Sequence, residues 1–325
     1  MRSIALDGMV SLPDMVDLTR RAEATGVPAV WMAEHMGYRD AVTASAAFLA
    51  ATRRLTVAPS AISVHVRHPM ITAMSAASLE ELAPGRTLLS VATGNPRALD
   101  EMGVGMPRAL ATMREYVEAV RRLLRGEPVT YAGEVFRLRG SRLHFPPERP
   151  IPIYVAAMGP RMLELAGEIG DGVLLSAALA PGYLRRSLDR VRAGATRAGR
   201  DPKEVAAAGF VLTSVSRDGD VARRAAKTML AYLFRNRFVA ESLELSGSRI
   251  DRQAAADAAA RGDWETAIRL VPDAEVTRYA VAGTLAECRG QLGAFREAGL
   301  DEVVLLAFGD LEARHLAVDL AGEDP

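Results

Sequence analysis

The run LTVAPSAISVHVRHP (residues 55–69), followed by an Ala-rich stretch and then GRTLLSVATGN (residues 85–95), decides the fold class. Leu55–Ile62 and Thr87–Val91 are β-branched or leucine-rich and read as strands. Between them Pro69–Leu82 reads as a helix, stopped by Pro84-Gly85. Two strands joined by a helical crossover predict parallel pairing. Both strands end in small and hydroxyl residues, Ser60-Ala61-Ile62-Ser63 and Thr93-Gly94-Asn95. Small side chains at the C-terminal end of a parallel strand let backbone approach a flat ligand, so this stretch is where a cofactor is expected to lie.

The alternation continues in both directions. Upstream, strand Ser3–Leu6 leads to a helix over Pro13–Thr25 that closes at Gly26, and strand Ala29–Ala33 leads to a helix over Ala41–Arg53. Downstream come a helix over Arg108–Arg125, strand Ile151–Ala156, helix Pro160–Ile169, strand Gly172–Leu175, helix Pro181–Ala198, strand Val205–Ser214 and helix Asp220–Phe238. Thr284–Ala298 and Glu302–Ala307 supply the last helix and strand. The segment VTYAGEVFRLRGSRLHF reads as a hairpin-like insert turning at Ala132-Gly133, and Asp251–Leu270 as a polar helical excursion. Eight strands separated by helix-sized crossovers predict an α/β fold, a (β/α)8 TIM barrel with insertions. The expectation is one domain over residues 1–325, with inserts at about 126–150 and 240–275. An open doubly wound sheet is the alternative, but it lacks support. No GxGxxG follows the first strand, where Asp7-Gly8-Met9-Val10 stands instead.

Composition narrows the partners. Forty acidic and forty basic residues give zero formal charge, distributed without a basic tail, which argues against nucleic acid or an anionic membrane as partner. The single cysteine, Cys288, excludes an internal disulfide and a Cys-based metal site. His65 and His68 flank Arg67 without an accompanying acid or cysteine, so no metal is expected, and His68 before Pro69 suits a helix start. Met1-Arg2-Ser3 runs straight into an apolar strand, and no apolar run approaches the ~20 residues that span a bilayer. A cytoplasmic protein with a small-molecule substrate is expected.

In a barrel the chemistry sits where strands end and βα loops begin. Those ends are Asp7, Glu34-His35, Ser60-Ala61-Ile62-Ser63, Thr93-Gly94-Asn95, Ala157-Met158-Gly159, Ser176 and Thr213. Glu34-His35 is the only acid–histidine pair among them. A histidine there can exchange a proton near neutral pH and a carboxylate can orient it, although the dipeptide also suits a plain surface loop. In Met158-Gly159-Pro160-Arg161 the glycine permits close approach and proline suits the first helical position. The helix N-terminus then offers free N–H groups to an anion, with Arg161 able to add a charge-assisted contact. An ordinary βα turn is the other reading. Tyr131, Phe136 and Phe145 could line a lid or simply pack the hairpin down.

Together VWMAEH (30–35), APSAISVHVRHP (58–69), GRTLLSVATGN (85–95), PIPIYVAAMGPRMLELAGEIGDGVLLS (150–176) and YAVAGTLAECRGQLGAFREAGLDEVVL (279–305) resemble the luciferase-like monooxygenase superfamily. Within it they are most similar to the methylenetetrahydromethanopterin reductase-like branch, which uses coenzyme F420, an 8-hydroxy-5-deazaflavin. The resemblance implies a TIM barrel with the deazaflavin across its C-terminal face and a non-prolyl cis peptide, here Ser60–Ala61, behind the ring. It places Glu34 and His35 near the ring as catalytic candidates. Asp7, Ser60, Ala61, Ile62, Thr93, Gly94, Asn95, Ala157, Met158, Gly159, Pro160 and Arg161 fall on the cofactor-binding side. The implied activity is an oxidoreductase that passes a hydride between the deazaflavin C5 and a small organic substrate, with a C=N or iminium group as the preferred acceptor. The implied assembly is a homo-oligomer, a dimer or larger. Several deazaflavin enzymes of the group carry a carboxylate where this chain has Asn95, which cannot serve as an acid near pH 7. The proton donor is then Glu34, His35, water or the substrate. Two alternatives stand beside this expectation. One is an FMN-dependent monooxygenase with Arg161 and the nearby helix N-terminus on the phosphate, and the other is a barrel that has lost its cofactor.

Overall fold

In β-strands successive side chains point to opposite faces. Strands such as SIAL (3–6), AVWMA (29–33) and IYVA (153–156) alternate small or aromatic residues with larger aliphatic ones, which gives a sheet two different apolar faces. The computed structural model describes residues 1–176, 178–236 and 239–323. Its strands are β1 (Arg2–Leu6), β2 (Ala29–Ala33), β3 (Thr56–Ser60), β4 (Ile62–Ser63), β5 (Leu89–Ala92), β6 (Val129–Ala132), β7 (Arg137–Ser141), β8 (Ile153–Ala156), β9 (Gly172–Leu175), β10 (Ala206–Val215), β11 (Ala280–Gly283) and β12 (Glu302–Ala307). The main sheet runs β3-β2-β1-β12-β10-β9-β8-β5-β4 and its pairings are parallel. Its two ends, β3 and β4, are one stretch of chain interrupted by a cis peptide between Ser60 and Ala61. A parallel bridge from Val57 to Thr87 adds a further link across that seam. The sheet therefore returns on itself as the expected (β/α)8 barrel.

The inward face carries Ala5, Ala29, Trp31, Ala33, Ala58, Leu174, Ala208, Phe210 and Val304. Four of these are alanines from β1 to β3, which leave room for Trp31. Its ring meets Tyr154 at 5.6 Å and Phe210 at 6.0 Å, both edge-on, and its Nε1 donates to Glu302 Oε1 at 2.9 Å. The lumen is thus a packed core. The alternate residues, such as Ile4, Leu6, Val30, Met32, Val303 and Leu305, face the helices in the larger core.

Helices begin where the sequence supplies caps. Ser11, Asp40 and His68 accept from the first-turn N–H groups of Leu12–Ala24, Ala41–Ala51 and Pro69–Leu82. For His68 the acceptor is Nδ1, 3.2 Å from Met70 N, the helix-starting role expected of it. The insert is a hairpin, β6 with β7. The Glu115 carboxylate anchors it by accepting from the N–H groups of Glu134, Val135 and Phe136 at 2.7, 2.9 and 3.0 Å. Phe136 packs on Tyr116 and His68, so this aromatic holds the hairpin down.

Several boundaries differ from expectation. The third strand is split by the cis bond. The excursion is two helices, Arg252–Ala260 and Trp264–Arg269, separated at Gly262 with φ +77°. Thr284–Ala298 likewise forms two helices, Leu285–Gln291 and Gly293–Glu297. The seventh helix runs Gly219–Leu233, and its expected end at Phe238 lies outside the described residues. β11 was not anticipated. It exists because β10, at ten residues, outruns β9, whose pairing ends at Gly209, and its last four residues, Leu212–Val215, pair with Ala280–Gly283 on the side β9 has left. A second apolar core, including Phe234, Leu243, Val276 and Tyr279, caps that projection. The final helix, Leu311–Gly322, was also missed.

Candidate active site

All eight barrel strands point the same way, so their C-terminal ends share one rim. At the end of β2, the Glu34 N–H donates to Ser60 O at 2.6 Å, tying β2 to the residue before the cis bond. The Glu34 side chain is 7% exposed and accepts from Arg67 Nη2 at 3.4 Å, while Arg67 also grips Asp40. Burial raises the Glu34 carboxyl above its usual range, against the pull of Arg67. His35 is exposed, with its ring edge-on to Tyr38, and its Nδ1 lies 3.0 Å from Asp7 O. A carbonyl only accepts, so Nδ1 carries the proton and Nε2 of the neutral ring is the acceptor.

Asp7 is buried and both its carboxylate oxygens are engaged. Arg314 Nη1 and Nη2 donate to Oδ1 and Oδ2 at 2.9 and 3.0 Å, and Met9 N–H donates to Oδ1 at 3.0 Å. What Asp7 offers toward the rim is its carbonyl, already aimed at His35.

Ser60 is buried and its Oγ has no hydrogen-bond partner among the described residues, an orphaned polar atom beside the cis bond. Ala61 is half-buried and Ile62 buried. Ser63 Oγ donates to Thr93 O at 3.3 Å, drawing the ends of β4 and β5 together. Gly94 sits in that contact at φ +91°. A Cβ there would lie 2.8 Å from Ser63 Oγ and 3.1 Å from Leu99 Cδ1, so both backbone and space demand glycine. Asn95 is exposed and its Oδ1 accepts from Arg97 N at 3.0 Å, capping the short helix Pro96–Glu101. Aspartate caps as well as asparagine. Asn95→Asp is therefore expected to leave the melting temperature unchanged and turnover little altered if Glu34 or His35 handles the proton. A gain of about tenfold or more, ~1.4 kcal/mol of barrier, would show that the site lacks a carboxylate at that position.

Across the rim, Ala157 N–H donates to Leu174 O at 3.1 Å. The Met158 carbonyl accepts from Tyr183 Oη at 2.8 Å. Gly159 is the N-cap of Pro160–Ile169, with ordinary dihedrals (φ −78°, ψ 151°) and no side-chain cap for the helix. A Cβ on Gly159 would meet nothing within 4 Å. Neither backbone strain nor packing requires glycine here, and the first N–H groups of the helix have no side-chain cap. Arg161 is exposed and lines a cleft of about 420 Å³ with Leu110, Arg114, Glu134, Glu164 and Arg197, between Pro160–Ile169 and the helix Ala109–Leu124. Its side chain thus lies on the flank of the helix.

Sequence reasoning did not find Arg67, Asp40, Tyr183 or Arg314. Arg67 was visible only as the residue between two histidines, and Arg314 lies in a helix that was not recognised. The pattern LEARHLAVDL behind a capping Asp310 was the available signal for that helix.

A family model described as luciferase-like monooxygenase matches residues 3–302, and the chain belongs to that family. Its relatives include the 5,10-methylenetetrahydromethanopterin reductase of Methanolobus tindarius. That enzyme is 32% identical over 287 residues, which cover 87% of this chain and 86% of the relative. The F420-dependent glucose-6-phosphate dehydrogenase of Kineococcus radiotolerans is 31% identical over 206 residues, 59% of this chain and 60% of the relative. The solved coenzyme F420-dependent tetrahydromethanopterin reductase of Methanopyrus kandleri superposes with a TM-score of 0.90 at 26% identity, covering 99% of this chain and 96% of that one.

Proposed function

We propose that this chain is an F420-dependent oxidoreductase acting on a small organic substrate at the C-terminal rim of its barrel. The observation that carries the reading is Gly159, a glycine that neither backbone nor packing needs, facing open space before an uncapped helix N-terminus. Such a turn suits a phosphate-bearing cofactor. The orphaned Ser60 Oγ fits the same group as a hydrogen-bond donor behind its ring, and the F420-dependent relatives support the choice of cofactor. We assign Asp7, Ser60, Ala61, Ile62, Thr93, Gly94, Asn95, Ala157, Met158, Gly159, Pro160 and Arg161 to the cofactor side. Asp7 contributes through its backbone, and Arg161 from the helix flank.

When bound, the deazaflavin supplies hydride chemistry at its C5, with a C=N or iminium carbon as the preferred partner, as the reductase relatives suggest. The chain supplies position and protons. His35, with Nδ1–H held by Asp7 O, leaves Nε2 to accept a proton when neutral and to donate one when protonated. Glu34, raised by burial, keeps its proton to a higher pH than a free carboxyl and is the second donor. Arg67 opposes that rise and holds the Glu34 carboxyl near β4.

Titration of the purified chain with F420 and with FMN tests the reading. Binding of F420 with weak or no FMN binding is expected. Tight FMN binding alone would assign a flavin monooxygenase, and binding of neither would assign a barrel without a cofactor.

The chain is further proposed to be a single domain, cytoplasmic, and a homo-oligomer. Its one cysteine is buried and unpaired, and no helix among the described residues is long and apolar enough to cross a membrane. The helices Ala41–Ala51 and Pro69–Leu82 leave an apolar groove with Ile71 at 47%, Met74 at 42% and Leu82 at 51% exposure, which suits a second copy. Sedimentation should give a dimer or larger species, and Met74→Glu should shift it toward monomer. A monomeric parent chain would remove this part of the proposal.

A further inference from the structure

The group that touches His35 is itself held from far away in the chain. Arg314, in the first turn of the final helix, is 3% exposed, and its guanidinium makes four hydrogen bonds. Nη1 donates to Asp7 Oδ1 at 2.9 Å and Ala307 O at 3.0 Å, Nη2 to Asp7 Oδ2 at 3.0 Å, and Nε to Gly309 O at 3.2 Å. Closing the barrel between β1 and β12 does not by itself require this, because the two strands already pair over Arg2–Ala5. A bidentate pair fixes the plane of the carboxylate as well as its distance. With Met9 N–H also on Oδ1, the Asp7 side chain has one orientation, and the carbonyl of the same residue points at His35 Nδ1 at 3.0 Å.

We propose that Arg314 is a positioning residue for His35. Its grip on Asp7 aims the Asp7 carbonyl at Nδ1, which places the ring proton there and the lone pair at Nε2, the nitrogen with no partner among the described residues. The inference rests on the reading of His35 as the proton-handling group. The other ionisable groups around the ring do not supply this constraint. Glu34 is directed to Arg67, and Arg67 also to Asp40. Arg39 donates to Gly8 O and Met9 O, and Tyr38 meets the ring edge-on. Without Arg314, Asp7 is a buried carboxylate with one N–H for company, a costly arrangement that moves the residue toward water. His35 then loses its acceptor and relaxes to the form favoured in water, with the proton on Nε2.

Ring 15N spectra of the cofactor-free, histidine-labelled chain at alkaline pH test this, with the His35 signal among the five histidines assigned by its loss in His35→Gln. The parent chain is expected to show His35 protonated at Nδ1. Arg314→Met should move it to Nε2 protonation or a mixture, and Arg314→Lys should do so partially. If Arg314→Met does not fold, the charge-neutral pair Asp7→Asn with Arg314→Met takes its place and should show the same change. A folded variant that keeps the parent His35 signal while melting earlier would reduce Arg314 to a barrel clasp and overturn the proposal. Because these spectra need neither cofactor nor substrate, their outcome is separate from that of the cofactor titrations. Failure of the F420 reading would leave the tautomer result standing, and the reverse holds as well.

Discussion

Gly159→Val is expected to weaken F420 binding by about a hundredfold or more, ~2.7 kcal/mol, while the melting temperature stays within a few degrees of the parent. The second half of that result follows from the backbone. At φ −78°, ψ 151° a β-branched residue is in an allowed extended region, and a Cβ meets nothing within 4 Å. Replacing a glycine whose dihedrals suit any residue stabilises by roughly 0.4–1 kcal/mol through the unfolded chain. Losing glycine's modest advantage as an N-cap offsets part of that gain. The first half follows from where the side chain goes. Valine's two methyls would occupy the space in front of the uncapped helix N-terminus and keep a phosphate from its N–H groups. Unchanged affinity, measured by fluorescence titration of the deazaflavin, would mean that this turn is not the phosphate site.

His35→Ala is expected to lower the rate of hydride transfer by about 10²- to 10⁴-fold, with cofactor affinity little changed. His35 is exposed and its ring makes one hydrogen bond, so the substitution should cost no more than about 1 kcal/mol of stability. The measurement is single-turnover transfer from reduced F420 to methylenetetrahydromethanopterin, or to whichever imine or alcohol-derived acceptor is active in the parent chain. The control is Glu34→Gln. It removes a carboxyl that burial holds protonated to a higher pH than usual, so the loss of rate should be largest at low pH, where Glu34 carries its proton, and should fade as pH rises and the carboxyl ionises. If His35→Ala turns over like the parent, the proton comes from Glu34, water or the substrate, and the Asp7–His35 contact is structural.

Much of the rim was legible in the sequence. Each of the eight barrel strands was located to within a few residues, because short β-branched or leucine-rich runs alternate with helix-sized segments along the chain. The small residues Ser60, Ala61, Gly94, Ala157 and Gly159 marked the strand ends, since a bulky side chain at such an end is easily noticed by its absence. Other parts needed contacts that no local pattern encodes. β11 depends on β10 being long enough to extend past the end of β9. Arg67 becomes part of the site only because the loop after β4 returns across β2 to reach Glu34 and Asp40. Arg314 is 307 residues from Asp7 along the chain.

The run from Leu55 to Asn95 therefore determined, by itself, parallel strands, a helical crossover and two strand ends built of small and hydroxyl residues. Those are consequences of local side-chain size and period, and they hold wherever the stretch lies in space. What each rim residue does was decided by tertiary structure. Asp7 became a backbone acceptor because Arg314 took its carboxylate, and Asn95 became a helix cap because Arg97 N lies 3.0 Å away. Gly94 and Gly159 look alike in sequence, yet one is locked by Ser63 and Leu99 and the other faces open space. A side chain's type lists the bonds it can make, and only the neighbours brought to it by the closed barrel select among them.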